Sequence, residues 1–255
     1  MYIEVSSRIG YLEPQHFSDR PALGYIRGDR YSFAVDTGAS KMHVEQFYSE
    51  LERRGLRLPD FTGISHYHWD HSYAAAFVNG LTVASDRCNA MLVKESAYEW
   101  TPEAMKDRLT NGEDIKFGYC AKLCEYNDLS MVKVVPADIV ISGNITVDLG
   151  GVHVEVLYCG GPHSDDHLMF FVPEEKFLFV SDCSGKELFT LDWDYDETRP
   201  ELLPDVIETL PYNKSKLAPY VELLESLDFE RCVLGHADKM LTKAELLGNL
   251  LPHLK

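Results

Sequence analysis

Ile64-Ser65-His66-Tyr67-His68-Trp69-Asp70-His71 places three imidazoles and a carboxylate within six consecutive positions, at the end of an apolar segment. Imidazole is the commonest side-chain metal ligand, and carboxylates partner zinc, iron or manganese. Strand side chains alternate between faces, so a run leaving a strand sends His66 and His68 to one side. Asp70 and His71 come where the chain turns away and face a neighbouring position. The pattern predicts two adjacent metal sites rather than one.

Outward from this run, residues 22–27 and 31–35 read as strands, the second closing on the turn Asp36-Thr37-Gly38. Val44, Phe47, Tyr48 and Leu51 recur at helical spacing, predicting a helix over 41–54 that stops at Gly55. Residues 61–65 read as a short buried strand entering the histidines, 72–78 as the opening of a helix and 81–84 as another strand. This alternation argues for an α/β architecture. Strand patterns resume at 139–141, 145–149, 152–158, 168–172, 177–180 and 231–234. Gly150-Gly151 and Pro173-Glu174-Glu175-Lys176 supply hairpin turns. Helices are expected over 200–210, 216–226 and 242–251. Residues 85–135 are charged, aromatic and helical in places; they read as an insertion, either covering the site or merely connecting.

The 255 residues are 45% hydrophobic and fit one domain, 1–255, with that helical insertion at about 85–135. Lys and Arg number 24 against 41 Asp and Glu, a formal net charge of −17. Such acidity repels nucleic-acid phosphates and anionic membranes, so neither is an expected partner. No apolar run approaches the ~18 residues of a membrane span. The start, Met1-Tyr2-Ile3-Glu4-Val5, lacks a signal-peptide pattern, so a cytoplasmic location is expected. The sequence is compatible with a monomer and with a homodimer. Six scattered cysteines read as reduced, mostly buried thiols. Cys120 and Cys124 share a helical face, but a zinc site there would need two further ligands that the sequence does not offer.

Three further candidate ligands sit just past strands. His163 follows 152–158 through Cys159-Gly160-Gly161-Pro162, Asp182 follows 177–180, and His236 follows 231–234. Open α/β folds build sites at strand ends. Singly, each has a duller explanation as a loop residue, turn former or helix cap. Together with the cluster, the ordered set resembles the metallo-β-lactamase superfamily of metal-dependent hydrolases. Ala34-Val35-Asp36-Thr37-Gly38 looks like that family's early strand and turn. Gly161-Pro162-His163-Ser164 is similar to its Pro-Gly-His-Thr loop, Phe177–Ser181 followed by Asp182 to its strand ending in Gly-Asp, and Leu234-Gly235-His236 to its Gly-His. The likeness runs from Asp36 to His236.

The resemblance implies a four-layer αβ/βα sandwich of two mixed β-sheets flanked by helices. It implies one metal held by His66, His68 and His163, and a second held by Asp70, His71 and His236, with Asp182 bridging. The cofactors would be two divalent metal ions, zinc first, with iron or manganese as alternatives. A water shared by two such cations becomes a hydroxide near neutral pH and attacks a small-molecule substrate. Asp182 and Asp70 are the catalytic candidates, Asp70 as a proton acceptor or, alternatively, as a cap for the helix after it. Asp36 reads as support beneath the site; a lone Asp-Thr-Gly lacks the second carboxylate an aspartic protease needs. Asp165, Asp166 and His167, immediately after His163, are candidates to support the ligating histidines, with Asp165 or Asp166 either accepting a ring N–H or forming a solvated turn. Tyr67, Trp69, Trp193, Tyr195 and Tyr212 are candidate pocket aromatics.

Two departures from the family pattern stand out. Ser72-Tyr73-Ala74-Ala75-Ala76 follows the cluster where the family usually has a small pair, and Ser181 replaces a glycine before Asp182. Hydrolysis of an ester, lactone, thioester or phosphodiester is the leading expectation, a carboxylic ester or lactone slightly ahead. The resemblance disfavours the glyoxalase II branch, because only a short tail follows His236, and the antibiotic-degrading branch, many of which place Cys at the Asp182 position. The acidic charge disfavours nucleic-acid branches. Two other readings are an iron-dependent oxidoreductase such as a persulfide dioxygenase, and a metal-dependent binding protein without turnover.

Overall fold

The computed structural model describes residues 1–189 and 210–255. The helix expected over 200–210 therefore lies almost wholly outside the described residues. Two mixed sheets face one another. The first runs β1 (Tyr2–Glu4), β2 (Ile9–Leu12), β3 (Leu23–Arg27), β4 (Ser32–Val35), β5 (Phe61–Gly63), β6 (Leu81–Ser85) and β7 (Ile139–Ile141) in spatial order. Its first four strands pair antiparallel and β4 to β7 pair parallel. The second sheet runs β8 (Ile145–Asp148), β9 (His153–Tyr158), β10 (Leu168–Val172), β11 (Phe177–Ser181), β12 (Arg231–Leu234) and β13 (Leu241–Thr242). Only β11 and β12 pair parallel in it.

Period-two patterning decides which residues meet between the sheets. Leu168, Phe170 and Val172 of β10, with Phe177 and Phe179 of β11, turn inward against Ile26, Phe33, Val35 and Val83. Met169, Phe171, Leu178 and Val180 turn outward and are covered by helices α6 (Lys214–Ser226) and α7 (Lys243–Leu250) through Leu217, Tyr220, Leu224 and Leu246. On the other side α1 (Lys41–Arg53) lays Phe47 and Leu51 on Leu23, Tyr25 and Ala34. Helix, sheet, sheet and helix thus stack as four layers. Each fully buried Phe or Leu contributes roughly 1.5–3 kcal/mol to this arrangement. Gly63 lets the sheets approach: a Cβ there would lie 2.1 Å from Phe170 Cε1.

The helix boundaries follow from caps. Ser40 Oγ accepts from the His43 N–H at the start of α1, and Gly55 at φ +66° ends the turn after it. Ser85 caps α3 (Asp86–Glu95), and Thr101 followed by Pro102 opens α4 (Pro102–Thr110). These helices and α5 (Lys116–Glu125) occupy the 85–135 stretch. Glu125 on α5 ties it to the first sheet. Its carboxylate accepts from Arg20 Nε and Nη2, both at 2.8 Å, and from Ser18 Oγ at 2.6 Å. The short α2 (Trp69–Ser72) carries the histidine run off β5.

Candidate metal centre

β4 and β5 are parallel, as are β11 and β12, and the chain leaving each of these carboxyl ends delivers site residues. Asp36 follows β4, His66 follows β5 after two residues, Asp182 follows β11, and Gly235-His236 follows β12. His163 comes from the loop between β9 and β10. Two groups result, each with donor atoms within 4.8 Å of one another: His66, His68 and His163, and Asp70, His71, Asp182 and His236. Every ligand candidate named from the sequence falls in one of them.

Asp182 joins the two groups. Its Oδ2 lies 3.3 Å from His71 Nε2, 3.2 Å from His236 Nε2 and 3.9 Å from His163 Nε2. Asp70 Oδ2 lies 2.9 Å from His71 Nε2 and 3.2 Å from His236 Nε2. Yet His71 Nε2, like the equally buried His66 Nε2, has no partner in hydrogen-bond geometry. Close approach without that geometry is the relation of atoms converging on a common point. His68 Nδ1 and His163 Nε2 face each other at 3.0 Å, within hydrogen-bond geometry. This donor set fits divalent cations: imidazole nitrogens and carboxylate oxygens suit zinc, iron or manganese.

Supporting groups leave the ligating nitrogens facing inward. His71 Nδ1 meets Asp36 Oδ2 at 2.8 Å, His66 Nδ1 meets Ser65 Oγ at 3.0 Å, and His163 Nδ1 donates to the Lys186 carbonyl at 2.8 Å. Asp165 and Asp166 do not orient His163. Asp165 is paired at the surface with Lys216, and Asp166 accepts from the Tyr67 N–H at 2.7 Å, fixing the backbone between His66 and His68. A backbone carbonyl reached first. Nor does Asp70 cap the helix: it sits inside the first turn of α2, where His68 is the N-cap residue. His167, the third of these candidates, stacks on His66 with ring centroids 4.3 Å apart.

Electrostatics divides the two groups. Burial, reinforced by neighbouring imidazoles, holds the His66 and His68 rings well below the ordinary histidine range, hence neutral. Burial would push His71 down too, but Asp70, Asp36 and Asp182 together hold it well above that range. Burial would raise the Asp70 and Asp182 carboxyls, whereas His71 and His236 hold both well below the usual carboxylate range. So many buried carboxylates around two imidazoles call for added positive charge.

The cleft in front of these groups encloses about 670 Å³, its open mouth included. Tyr67, Trp69 and Tyr73 line it, as do Glu95, Arg108 and Lys122 from α3, α4 and α5. The 85–135 stretch therefore forms a wall of the cleft. Tyr73, the conspicuous departure after the cluster, is buried and donates to Glu95 Oε2 at 3.0 Å. Tyr212 instead donates to the Ser184 carbonyl, away from the cleft, and Trp193 and Tyr195 lie outside the described residues. Two features escaped sequence reasoning. Asp19, at φ +59° in the loop before β3, brings Oδ1 to 3.3 Å from His236 Nδ1. Cys159, His167 and Cys183 form a third close group, their two sulfurs 3.0 Å apart. Cys120 and Cys124 belong to none of the three groups formed by the described residues.

Comparison with known proteins bears on the family and the fold. Residues 23–236 match the family model described as the metallo-beta-lactamase superfamily. A curated relative, hydroxyacylglutathione hydrolase of Ruegeria pomeroyi, is 31% identical over 161 residues, 60% of this chain and 48% of that protein. The chain thus spans about half the length of that relative. Among solved structures, DIM-1 metallo-beta-lactamase aligns with TM-score 0.63 and 16% identity over 100% of this chain and 96% of its own. The metallo-beta-lactamase of Pontibacter korlensis gives 0.64 and 15% over 100% and 98%. The sec-alkylsulfatase Pisa1 from Pseudomonas sp. gives 0.64 and 15% over 98% and 40%. At such identities these structures speak for the fold, two mixed sheets flanked by helices. The family model covers most of the chain, and the protein belongs to the metallo-beta-lactamase superfamily.

Proposed function

We propose that this protein, with residues 1–255 acting as one unit, is a metal-dependent hydrolase of a small acyl compound: an ester, lactone or thioester. The observation that carries this reading is the pair of donor groups joined through Asp182 Oδ2 at the mouth of a cleft. His66, His68 and His163 would hold one divalent cation and Asp70, His71 and His236 a second, with Asp182 shared between them. Bound there, two zinc ions would polarise the substrate carbonyl and activate water for attack near neutral pH. The remaining work falls to the chain. Asp36, Ser65 and the Lys186 carbonyl hold His71, His66 and His163 with a nitrogen facing inward. Asp70, kept ionised by His71 and His236, is placed to take up a proton during turnover. Trp69, Tyr73 and Phe117 line the cleft and limit water beside the acyl group.

The named activity of the Ruegeria relative adds weight to acyl thioesters, alongside esters and lactones. No helix among the described residues is long and apolar enough to cross a membrane. Replacing Asp182 with alanine tests the reading through metal content per chain and rates on esters, lactones, thioesters and phosphodiesters. The variant should lose the second metal and most turnover. Two metals per chain with unchanged rates would refute the shared role of Asp182. Iron in the purified protein together with oxygen uptake would replace hydrolysis by redox chemistry.

A further inference from the structure

Arg108 on α4 has surroundings that the metal groups do not explain. It is 8% exposed and lines the same cleft as His68, Asp70, His163 and Asp182. Its guanidinium lies over the rings of Tyr98 and Trp100, 4.5 and 4.7 Å from their centroids. Nη1 donates to the Glu99 carbonyl at 3.0 Å, but Nη2 is buried without a hydrogen-bond partner among the described residues. Lys122, the other cation lining the cleft among the described residues, is paired with Asp114 at 2.8 Å. Among the described residues Arg108 is paired with no carboxylate. A buried charged donor left unsatisfied is costly, and the cost is recovered when an acceptor arrives.

A row of rings leads from the metal groups to this guanidinium. Trp69, adjacent to Asp70, is 6.5 Å from Tyr73 between centroids, and Tyr73 is 5.4 Å from Trp100. A substrate lying along the cleft would pass apolar faces before reaching Nη2. Glu95, Glu113 and Asp114 also line the cleft, so a dianion is repelled more strongly than a singly charged group. A guanidinium N–H directed at an oxyanion makes a strong, charge-assisted hydrogen bond.

We propose that Arg108 anchors a carboxylate on the substrate, separated from the scissile bond by an apolar spacer. This deepens the hydrolase reading, which supplies the bond that is cut; the anchor is itself tested by binding. The probes are the N-butyl monoamides of succinate, adipate and suberate, titrated calorimetrically into zinc-loaded protein beside uncharged N-butyl alkanamides of matching length. At least one monoamide should bind roughly 10- to 150-fold more tightly than its uncharged counterpart, the range for one hydrogen bond to a charged group. Arg108→Met should abolish that advantage and Arg108→Lys should keep part of it, with circular dichroism confirming both folds. Equal binding of charged and uncharged probes overturns the anchor. So does equal binding of the monoamides by wild type and Arg108→Met, since the carboxylate would then sit on the metals. Methyl phosphate binding more tightly than any monoamide, with that binding lost in Arg108→Met, overturns the carboxylate assignment. Matched thioesters separate the two readings: no hydrolysis with Arg108-dependent binding intact counts against the hydrolase and leaves the anchor standing.

Discussion

Replacing Asp36 by asparagine exchanges one carboxylate oxygen for an NH2 and removes a charge with little change of shape, yet it should cost the protein its second metal. Asp36 is buried; its Oδ1 accepts the Ser65 N–H, and its Oδ2 meets both His71 Nδ1 and Ser181 Oγ, all at 2.8 Å. A carboxylate at Oδ2 keeps a proton on His71 Nδ1, so a cation arriving beside Asp70 and Asp182 displaces only the Nε2 proton and takes that lone pair. An asparagine amide has one acceptor. With its oxygen toward Ser65, its NH2 faces His71 and drives the imidazole to the other tautomer, with the proton on Nε2. Turned the other way, it leaves the Ser65 N–H unsatisfied. Backbone strain does not confuse the comparison, because Asn tolerates the left-handed φ of +64° as well as Asp does. Loss of such a supporting carboxylate weakens metal binding about 10- to 100-fold, or about 1.4–2.7 kcal/mol. Competition with a chromophoric chelator reads both sites. The Asp70–His71–His236 side should weaken by that factor while the His66–His68–His163 side holds. If both affinities match wild type, or both fall together, the tautomer argument is refuted.

Three other substitutions probe the same construction. Gly235→Ala would set a Cβ 2.0 Å from Asp182 Oδ1, so Asp182 must move; metal content should drop and stability fall by about 1–3 kcal/mol as for overpacking, and a variant retaining wild-type metal content refutes the close fit. Glu125→Ala strands the buried Arg20, and urea unfolding should show a loss of about 3–5 kcal/mol; a loss under about 1 kcal/mol would mean that this pair does not hold α5 in place. Glu95 has its carboxyl pushed up to about 7, by burial first, with Lys122 and Tyr73 opposing. A folded pKa above the ordinary 4.5 means that its contribution is full below 4.5 and lost as pH rises through 7, on the order of 3 kcal/mol. Glu95→Gln should therefore gain on wild type in urea melts as pH rises across that window, and a difference that does not change with pH refutes the assignment.

The strands were legible where they bury both faces and read as continuous apolar runs, and β10 matches its expected range residue for residue, as does the half-exposed edge strand β7; their arrangement as two facing sheets came from the family resemblance. β1, β2 and β13 gave no such signal. They are two to four residues long and exist through pairing; a Cβ on Gly10 of β2, for instance, would meet the Tyr2 hydroxyl at 2.3 Å. The donor residues were legible for a different reason. Imidazoles crowded into one loop are visible before any folding, and the strand-end positions of the others follow from the alternation of elements. What sequence pattern missed are the groups whose role depends on burial. Glu95, Arg108 and Lys122 carry no pattern that singles them out among the charges of the 85–135 stretch, yet all three are buried around the cleft. The Lys186 carbonyl belongs to the backbone and has no residue signature at all.

Ser181 shows how such a local reading falls short in the opposite direction. In place of a glycine it looked like a mild change, but its φ of +51° lies where a side chain costs about 1–2 kcal/mol. The side chain whose Cβ creates the strain also carries a hydroxyl that reaches Asp36 Oδ2 at 2.8 Å and Ser65 Oγ at 2.9 Å, inside the network that orients His71 and His66. Net contributions of about 0.5–1.5 kcal/mol per hydrogen bond, and more to a carboxylate, are enough to offset the strain. The serine is therefore part of the support beneath the metal groups, exchanging backbone ease for two contacts that a glycine could not make.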